Sequence, residues 1–226
     1  MTEKALVFDS GTLINLSMNG LLYILEELKK ISNVKFLITK EVKYETVDRP
    51  IGIPRFELGA LRVQNLIDSK IIEMPESLNI SEEKIENTTK ELMNITNHSI
   101  KAIGRWINIV SNAEMSCLAL SIELTSKGIE NIIAIDERTT RILAEKPENL
   151  EEIMSTKLHT KIALFKKNLS MFSQFKFVRS TELVYVAFKK GVLKVQGNKA
   201  LEAALYATKY KGSSVSFEEI DVLKKL

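Results

Sequence analysis

Ala5-Leu6-Val7-Phe8-Asp9-Ser10-Gly11-Thr12-Leu13-Ile14 is the stretch that decides the fold. An apolar run of this length, closed by Asp-Ser-Gly and followed by apolar residues at helical spacing, predicts a buried strand turning sharply into a helix. The turn places Asp9 at the strand's carboxyl end. In open α/β sheets ligands bind at that edge, because strand ends and helix starts form a polar crevice above an apolar sheet. One carboxylate there says little; the function turns on whether others reach the same edge.

Downstream, apolar residues recur at helical spacing from Leu13 to Ile31, with a break near Asn19-Gly20. Residues 34–38 form the next short apolar strand. Thr39 caps a helix through Val42 and Glu45 that Pro50, Gly52 and Pro54 stop. Residues 58–67 are helical in period, and 70–73 suggest a brief edge strand. A polar, helix-favouring stretch runs from Ser81 towards Val110, with Ile85, Leu92, Ile95, Ile103, Trp106 and Val110 as its expected buried stripe; Trp106 could stack on a nucleic-acid base, but its place in that stripe favours the core. Ser111 opens a further helix, closed by Gly128. Ile132-Ile133-Ala134-Ile135 then reads as a central parallel strand ending at Asp136, and a helix follows to Pro147.

This alternation predicts an α/β fold, a three-layer αβα arrangement with a parallel sheet covered on both faces. Beyond residue 148 the chain reads as mostly helical, with 175–178 as a last strand, helices over 181–190 and from an Asn198 cap to Lys211, and a Ser216–Glu219 capping box opening the final one. With no repeat and no low-complexity linker, residues 1–148 are expected to form the α/β domain. Residues 149–226 are expected as an extension packed on the same core.

Composition narrows the chemistry. The chain has 226 residues, 45% hydrophobic and 27% charged, as in globular proteins. No apolar run approaches the roughly 20 residues that span a bilayer, and the N-terminus lacks a signal-peptide apolar core, so a cytoplasmic protein with no membrane partner is expected. Cys117 is the single cysteine, and His98 and His159 are the two histidines, which argues against a disulfide framework or a zinc site. A metal would need oxygen ligands, which points to Mg²⁺ or Mn²⁺. Residues 151–226 carry 14 basic and 7 acidic side chains, a net +7; the overall +3 therefore leaves −4 for residues 1–150. An acidic half for chemistry and a basic half facing a polyanion would fit that asymmetry.

Asp9 and Asp136 arrive at one edge if their strands are parallel neighbours. Glu45 and Glu114 lie near the starts of helices that open at that edge. Each has a plain structural alternative: Asp9 and Asp136 as caps, Glu114 as the acid of the Ser111-Asn112-Ala113-Glu114 capping box, Glu45 as a solvated helix residue. Together they would repel one another and raise each other's pKa unless a divalent cation lay between them.

In this order the acids resemble the PIN domain, the fold of many small metal-dependent ribonucleases. The resemblance rests on Val7-Phe8-Asp9-Ser10-Gly11-Thr12-Leu13-Ile14, Glu41-Val42-Lys43-Tyr44-Glu45, Asn112-Ala113-Glu114-Met115-Ser116-Cys117-Leu118-Ala119-Leu120 and Ile133-Ala134-Ile135-Asp136-Glu137-Arg138-Thr139-Thr140-Arg141. It implies sheet order 3-2-1-4-5 and an endoribonuclease in which Asp9, Glu45, Glu114 and Asp136, with Glu137 as an additional ligand, hold one or two Mg²⁺ or Mn²⁺ ions that activate water against a phosphodiester. Ser10 and Thr139 would support the ligands from behind. Lys43, Arg49, Arg138 and Arg141 would grip single-stranded RNA, and Lys157, Lys161, Lys166, Lys167 and Lys176 would supply the basic extension. A homodimer and an antitoxin-like inhibitor are the protein partners that the resemblance suggests.

Three other readings compete. Phe8-Asp9-Ser10-Gly11-Thr12-Leu13 also resembles the haloacid-dehalogenase-like phosphatases, but Gly11 stands where their acid–base Asp is needed. A catalytically silent RNA- or protein-binding module would use the basic half without the acids. The toxin of a toxin–antitoxin pair would keep the nuclease under a partner's control.

Overall fold

The computed structural model describes residues 3–226, apart from the side chains of Lys166, Lys167, Asn168 and Asn198. The expected roles of Lys166 and Lys167 in the basic extension, and of the Asn198 side chain as a cap, therefore fall outside the described part.

In chain order the first half comprises β1 (Lys4–Phe8), α1 (Ser10–Met18), α2 (Tyr23–Lys30), β2 (Val34–Leu37), α3 (Lys40–Lys43), α4 (Glu57–Asp68) and α5 (Glu82–Asn97). Next come β3 (Ile100–Ala102), β4 (Arg105–Trp106), α6 (Asn112–Ser126), β5 (Glu130–Ala134), α7 (Arg138–Glu145), α8 (Leu150–Leu158) and β6 (Ile162–Leu164). The chain finishes with β7 (Phe177–Val178), α9 (Ser180–Lys189), α10 (Asn198–Tyr210) and α11 (Phe217–Lys225).

The main sheet is four-stranded and parallel, ordered β2-β1-β5-β7. The five-strand order 3-2-1-4-5 is not reached. The segment expected as an edge strand over 70–73 pairs beside β2 through one parallel bridge, Leu37 to Glu73. Lys70, in the left-handed region at φ 57°, turns the chain out of α4 and leaves no room for a longer strand.

Towards their carboxyl ends the central strands are buried on both faces, as a parallel sheet with helices above and below requires, while Ile132 near the start of β5 stays exposed. Phe8, Leu37, Ile133 and Ile135 are fully enclosed, each contributing about 1.5–3 kcal/mol by leaving water. Helix α6 is buried around most of its circumference, between the sheet and α5. Small residues along it, Ala113, Ser116, Cys117 and Ala119, permit that approach, and a 2.6 Å hydroxyl pair joins Ser116 to Thr39.

The second correction concerns residues 98–110. In place of a continuing helix the chain forms an antiparallel hairpin, and β6 joins it in a separate three-stranded sheet ordered β4-β3-β6. Gly104, at φ 74°, supplies the turn. Trp106, expected in a helical core stripe, therefore lies exposed on a strand. Residues beyond 148 do contribute to the main sheet: β7 pairs with β5 at Ile133–Phe177 and Ala134–Val178.

Candidate active site

Asp9 follows β1 directly. Its amide donates to the Ala134 carbonyl (2.9 Å), and its side chain caps α1 by accepting from the Gly11 amide (3.0 Å). Gly11 permits that proximity, since a Cβ there would stand 3.2 Å from Asp9 Oδ2. The other oxygen, Oδ1, is buried without a hydrogen-bond partner. Burial, then the nearby charges of Glu114 and Glu45, push the Asp9 carboxyl up to about 7. Cys117 lies beneath, its thiol 3.5 Å from the Phe8 carbonyl and driven well up by burial and by the Asp9 charge.

Glu45 sits on a π-helical turn, Tyr44–Asp48, that continues α3. Such turns displace a side chain from ordinary helical phase and recur at functional sites. The Ser10 hydroxyl donates to Glu45 Oε2 at 2.6 Å, tying this turn to the Asp9 strand end.

Glu114 does form the expected capping box, with its Oε2 accepting from the Ser111 amide (3.1 Å). The same oxygen accepts from the Thr140 hydroxyl (2.8 Å), so one carboxylate serves the helix start and reaches across to α7. Burial and the neighbouring Glu137 raise its pKa. Glu137 caps α7, accepting from the Thr140 amide (2.9 Å) and from the Thr139 hydroxyl (2.8 Å). Thr140 thus joins Glu114 to Glu137, a role that nothing in the sequence pattern singled out.

Asp136 takes a different path. Both Asp9 and Asp136 leave the sheet at its carboxyl edge, but Phe8 stands opposite Ala134. One step further, Asp9 is level with Ile135, and alternation sends Asp136 to the other face. There its Oδ2 accepts from Asn15 Nδ2 (2.9 Å) and its Oδ1 from the Ser180 amide (2.8 Å). Burial raises its pKa, and the Ser180, Ser213 and Asn15 bonds oppose that. The structure therefore brings Asp9, Glu45 and Glu114 into electrostatic contact, with Glu137 next to Glu114, and ties Asp136 into the packing of α1, α9 and α10. Among the described residues, no three His, Cys, Asp or Glu side chains stand close enough to hold one metal ion. On donor chemistry the cluster fits a divalent cation: all its atoms are carboxylate or hydroxyl oxygens, and Asp9 Oδ1 has nothing else to bind.

The expected cationic grip is uneven. Arg49 and Arg138 are exposed and available to a polyanion. Lys43 is engaged by Asp48 (2.9 Å), and Arg141 by Glu145 (3.1 Å) and the Ser214 hydroxyl. Lys157, Lys161 and Lys176 are exposed on the C-terminal part. Arg179, unremarked in the sequence, is buried in an ion-pair network with Glu182 and Glu219.

No known protein family, no curated protein and no solved structure matches the chain.

Proposed function

We propose that the chain is a Mg²⁺- or Mn²⁺-dependent endoribonuclease of the PIN kind, working at the carboxyl edge of the main sheet through Asp9, Glu45 and Glu114. The observation that carries this reading is Asp9: a buried carboxyl pushed up to about 7, facing two further acids, with one oxygen left without a partner. The sheet lends support. Its four strands are parallel, so β1 and β5 end at one edge, as the reading requires.

Asp9, Glu45 and Glu114 would hold a divalent cation, which would supply Lewis-acid activation of water and charge neutralisation at a phosphate. The chain's own part is to hold the carboxylates. Ser10 orients Glu45, Thr140 and Ser111 orient Glu114, and Gly11 orients Asp9. Glu137 lies beside Glu114 as an additional oxygen donor. Asp136, an expected ligand, serves in this reading by fixing Asn15 and the start of α9 behind the site. Exposed Arg49 and Arg138 meet the phosphates of single-stranded RNA.

The test is cleavage of single-stranded RNA with added Mn²⁺ by the parent, Asp9→Asn and Glu114→Gln. Metal-dependent cleavage lost in both variants is the expected result. Equal, metal-insensitive residual cleavage in all three would leave a binding module without chemistry.

A second reading adds a protein partner. Ile14 and Met18 on α1, Phe56, Leu58 and Leu61 around α4, and Tyr44 beside Glu45 are all exposed, on elements that pack together. An apolar surface of this extent marks an interaction site, for a second copy or for an antitoxin-like inhibitor covering the crevice. Light scattering of the parent and Leu58→Glu separates these: a dimer that dissociates in the variant selects the second copy, and a monomer in both leaves the inhibitor.

A further inference from the structure

The antiparallel sheet β4-β3-β6 has two unlike faces. Ile100 and Ile162 are buried towards the body of the protein, with Leu164 half-buried beside them. Lys101 pairs with Trp106 on one side and Ala163 on the other, so these residues share the outer face, and Phe165 continues it. Trp106 is 41% and Phe165 45% exposed, with ring centroids 5.2 Å apart, edge to face. The exposed His98 ring lies 5.3 Å from Trp106 on its other flank. The Lys101 ammonium sits 4.1 Å from the indole centroid and 5.5 Å from that of Phe165. Lys161, two residues before Ala163, is exposed where the chain enters β6, and Arg105, paired with Ala102, belongs to the opposite face.

Rings left in water contribute little to folding, and Lys101, over one face of each, keeps a positive charge against them. We propose that this face is a binding platform for single-stranded RNA, with bases stacked on Trp106 and Phe165 and phosphates meeting Lys101 and Lys161. The choice of nucleic acid rests on the ribonuclease reading above; the geometry adds where the strand lies. Every base offers a π-face to an aromatic side chain, and cations interleaved with the rings meet the backbone, so such a surface holds a strand without reading its sequence. The platform connects directly to the acids. Trp106 lies five residues before Ser111, the cap of the helix that carries Glu114. An extended chain of that length spans at most about 18 Å, which about five stacked nucleotides cover. The platform and the start of α6 therefore lie within reach of one short strand.

Trp106 is the chain's single tryptophan, so its fluorescence reports on this face alone. The experiment titrates the full-length protein with a short oligouridylate in EDTA, which removes divalent cations and hence cleavage, and in parallel with heparin, a polyanion without bases. Saturable quenching by the oligonucleotide and none by heparin is expected. Phe165→Ala and Lys101→Ala should weaken binding, the former by about 5- to 100-fold, the effect of losing one base–aromatic stack. Anisotropy of labelled RNA should show Trp106→Phe retaining most of the affinity that Trp106→Ala loses. No quenching, equal quenching by heparin, or unchanged affinity in Phe165→Ala would overturn the platform. Emission that shifts with protein concentration alone would assign the face to a second copy instead and overturn it equally. Cleavage with Mn²⁺ is read separately. Quenching without cleavage keeps the platform and removes the hydrolase, and cleavage without quenching does the reverse.

Discussion

Replacing Asp9 by Asn should stabilise the metal-free protein above neutral pH. The Asp9 carboxyl is held at about 7 in place of its ordinary 3.8, and at about 1.4 kcal/mol per unit the difference is on the order of 4 kcal/mol. The folded state binds this proton more tightly than the unfolded chain does. The stability linked to it is therefore full below about pH 4 and lost progressively as pH rises to about 7, opposite to the behaviour of an ion-paired carboxylate. Asn keeps the acceptor for the Gly11 amide and removes the charge that Glu114 and Glu45 oppose. Urea unfolding in EDTA at pH 5 and pH 8 measures the effect. The parent should lose several kcal/mol between the two, and Asp9→Asn should lose much less. Saturating Mn²⁺ should restore the parent at pH 8, by about 2.7 kcal/mol at a hundred times the dissociation constant, and leave the variant unmoved. Equal pH dependence in both proteins would refute the buried, repelled carboxylate and the cation site built on it.

Three further outcomes follow from the same contacts. Asp136→Ala removes the acceptor for the buried Ser180 amide and one partner of Asn15; urea unfolding should show a loss of about 1–3 kcal/mol, the reverse of Asp9→Asn. Arg179→Met frees Glu182, Glu219 and the Ser214 carbonyl; amide exchange over 213–226 should accelerate while β1 and β5 stay protected. Gly11→Ala should keep the fold, since Ala favours helix by up to about 1 kcal/mol, yet its Cβ crowds Asp9 Oδ2 at 3.2 Å; the thermal shift produced by Mn²⁺ should shrink.

The strands and helices that position the site were legible because their signals are local. The run 5–8, the Thr39 cap and the Ser111–Glu114 box each fix structure within a few residues, and each is found. Two features were not legible. Residues 98–110 have apolar spacing compatible with a helix, and their conversion to a hairpin depends on pairing with β6, some sixty residues later. Spacing within one segment carries no information about that partner. The placement of Asp136 depends on register between β1 and β5, where one residue reverses the face. Both aspartates could be assigned to an edge from sequence, but not to a face of it. Asn15, the polar residue within an apolar helical run, was the available sign that something charged lay opposite it.

The caps of the helices bear on whether the acids at that edge are there for folding. Among the described residues four helices are capped by a hydroxyl, two of them away from the site, Ser81 for α5 and Ser216 for α11, and two beside it, Thr39 for α3 and Ser111 for α6. At the crevice the caps following β1 and β5 are carboxylates, Asp9 and Glu137. An N-cap needs one acceptor oxygen, and Asn or Ser supplies it as well as Asp does without burying a charge. Asp9 uses one oxygen for its cap and leaves the other buried and unpartnered, while the charges of Glu114 and Glu45 act on the group. Capping accounts for the first oxygen only. The second oxygen, buried beside other acids, raises the free energy of the folded protein at neutral pH, a cost that folding alone gives no reason to carry.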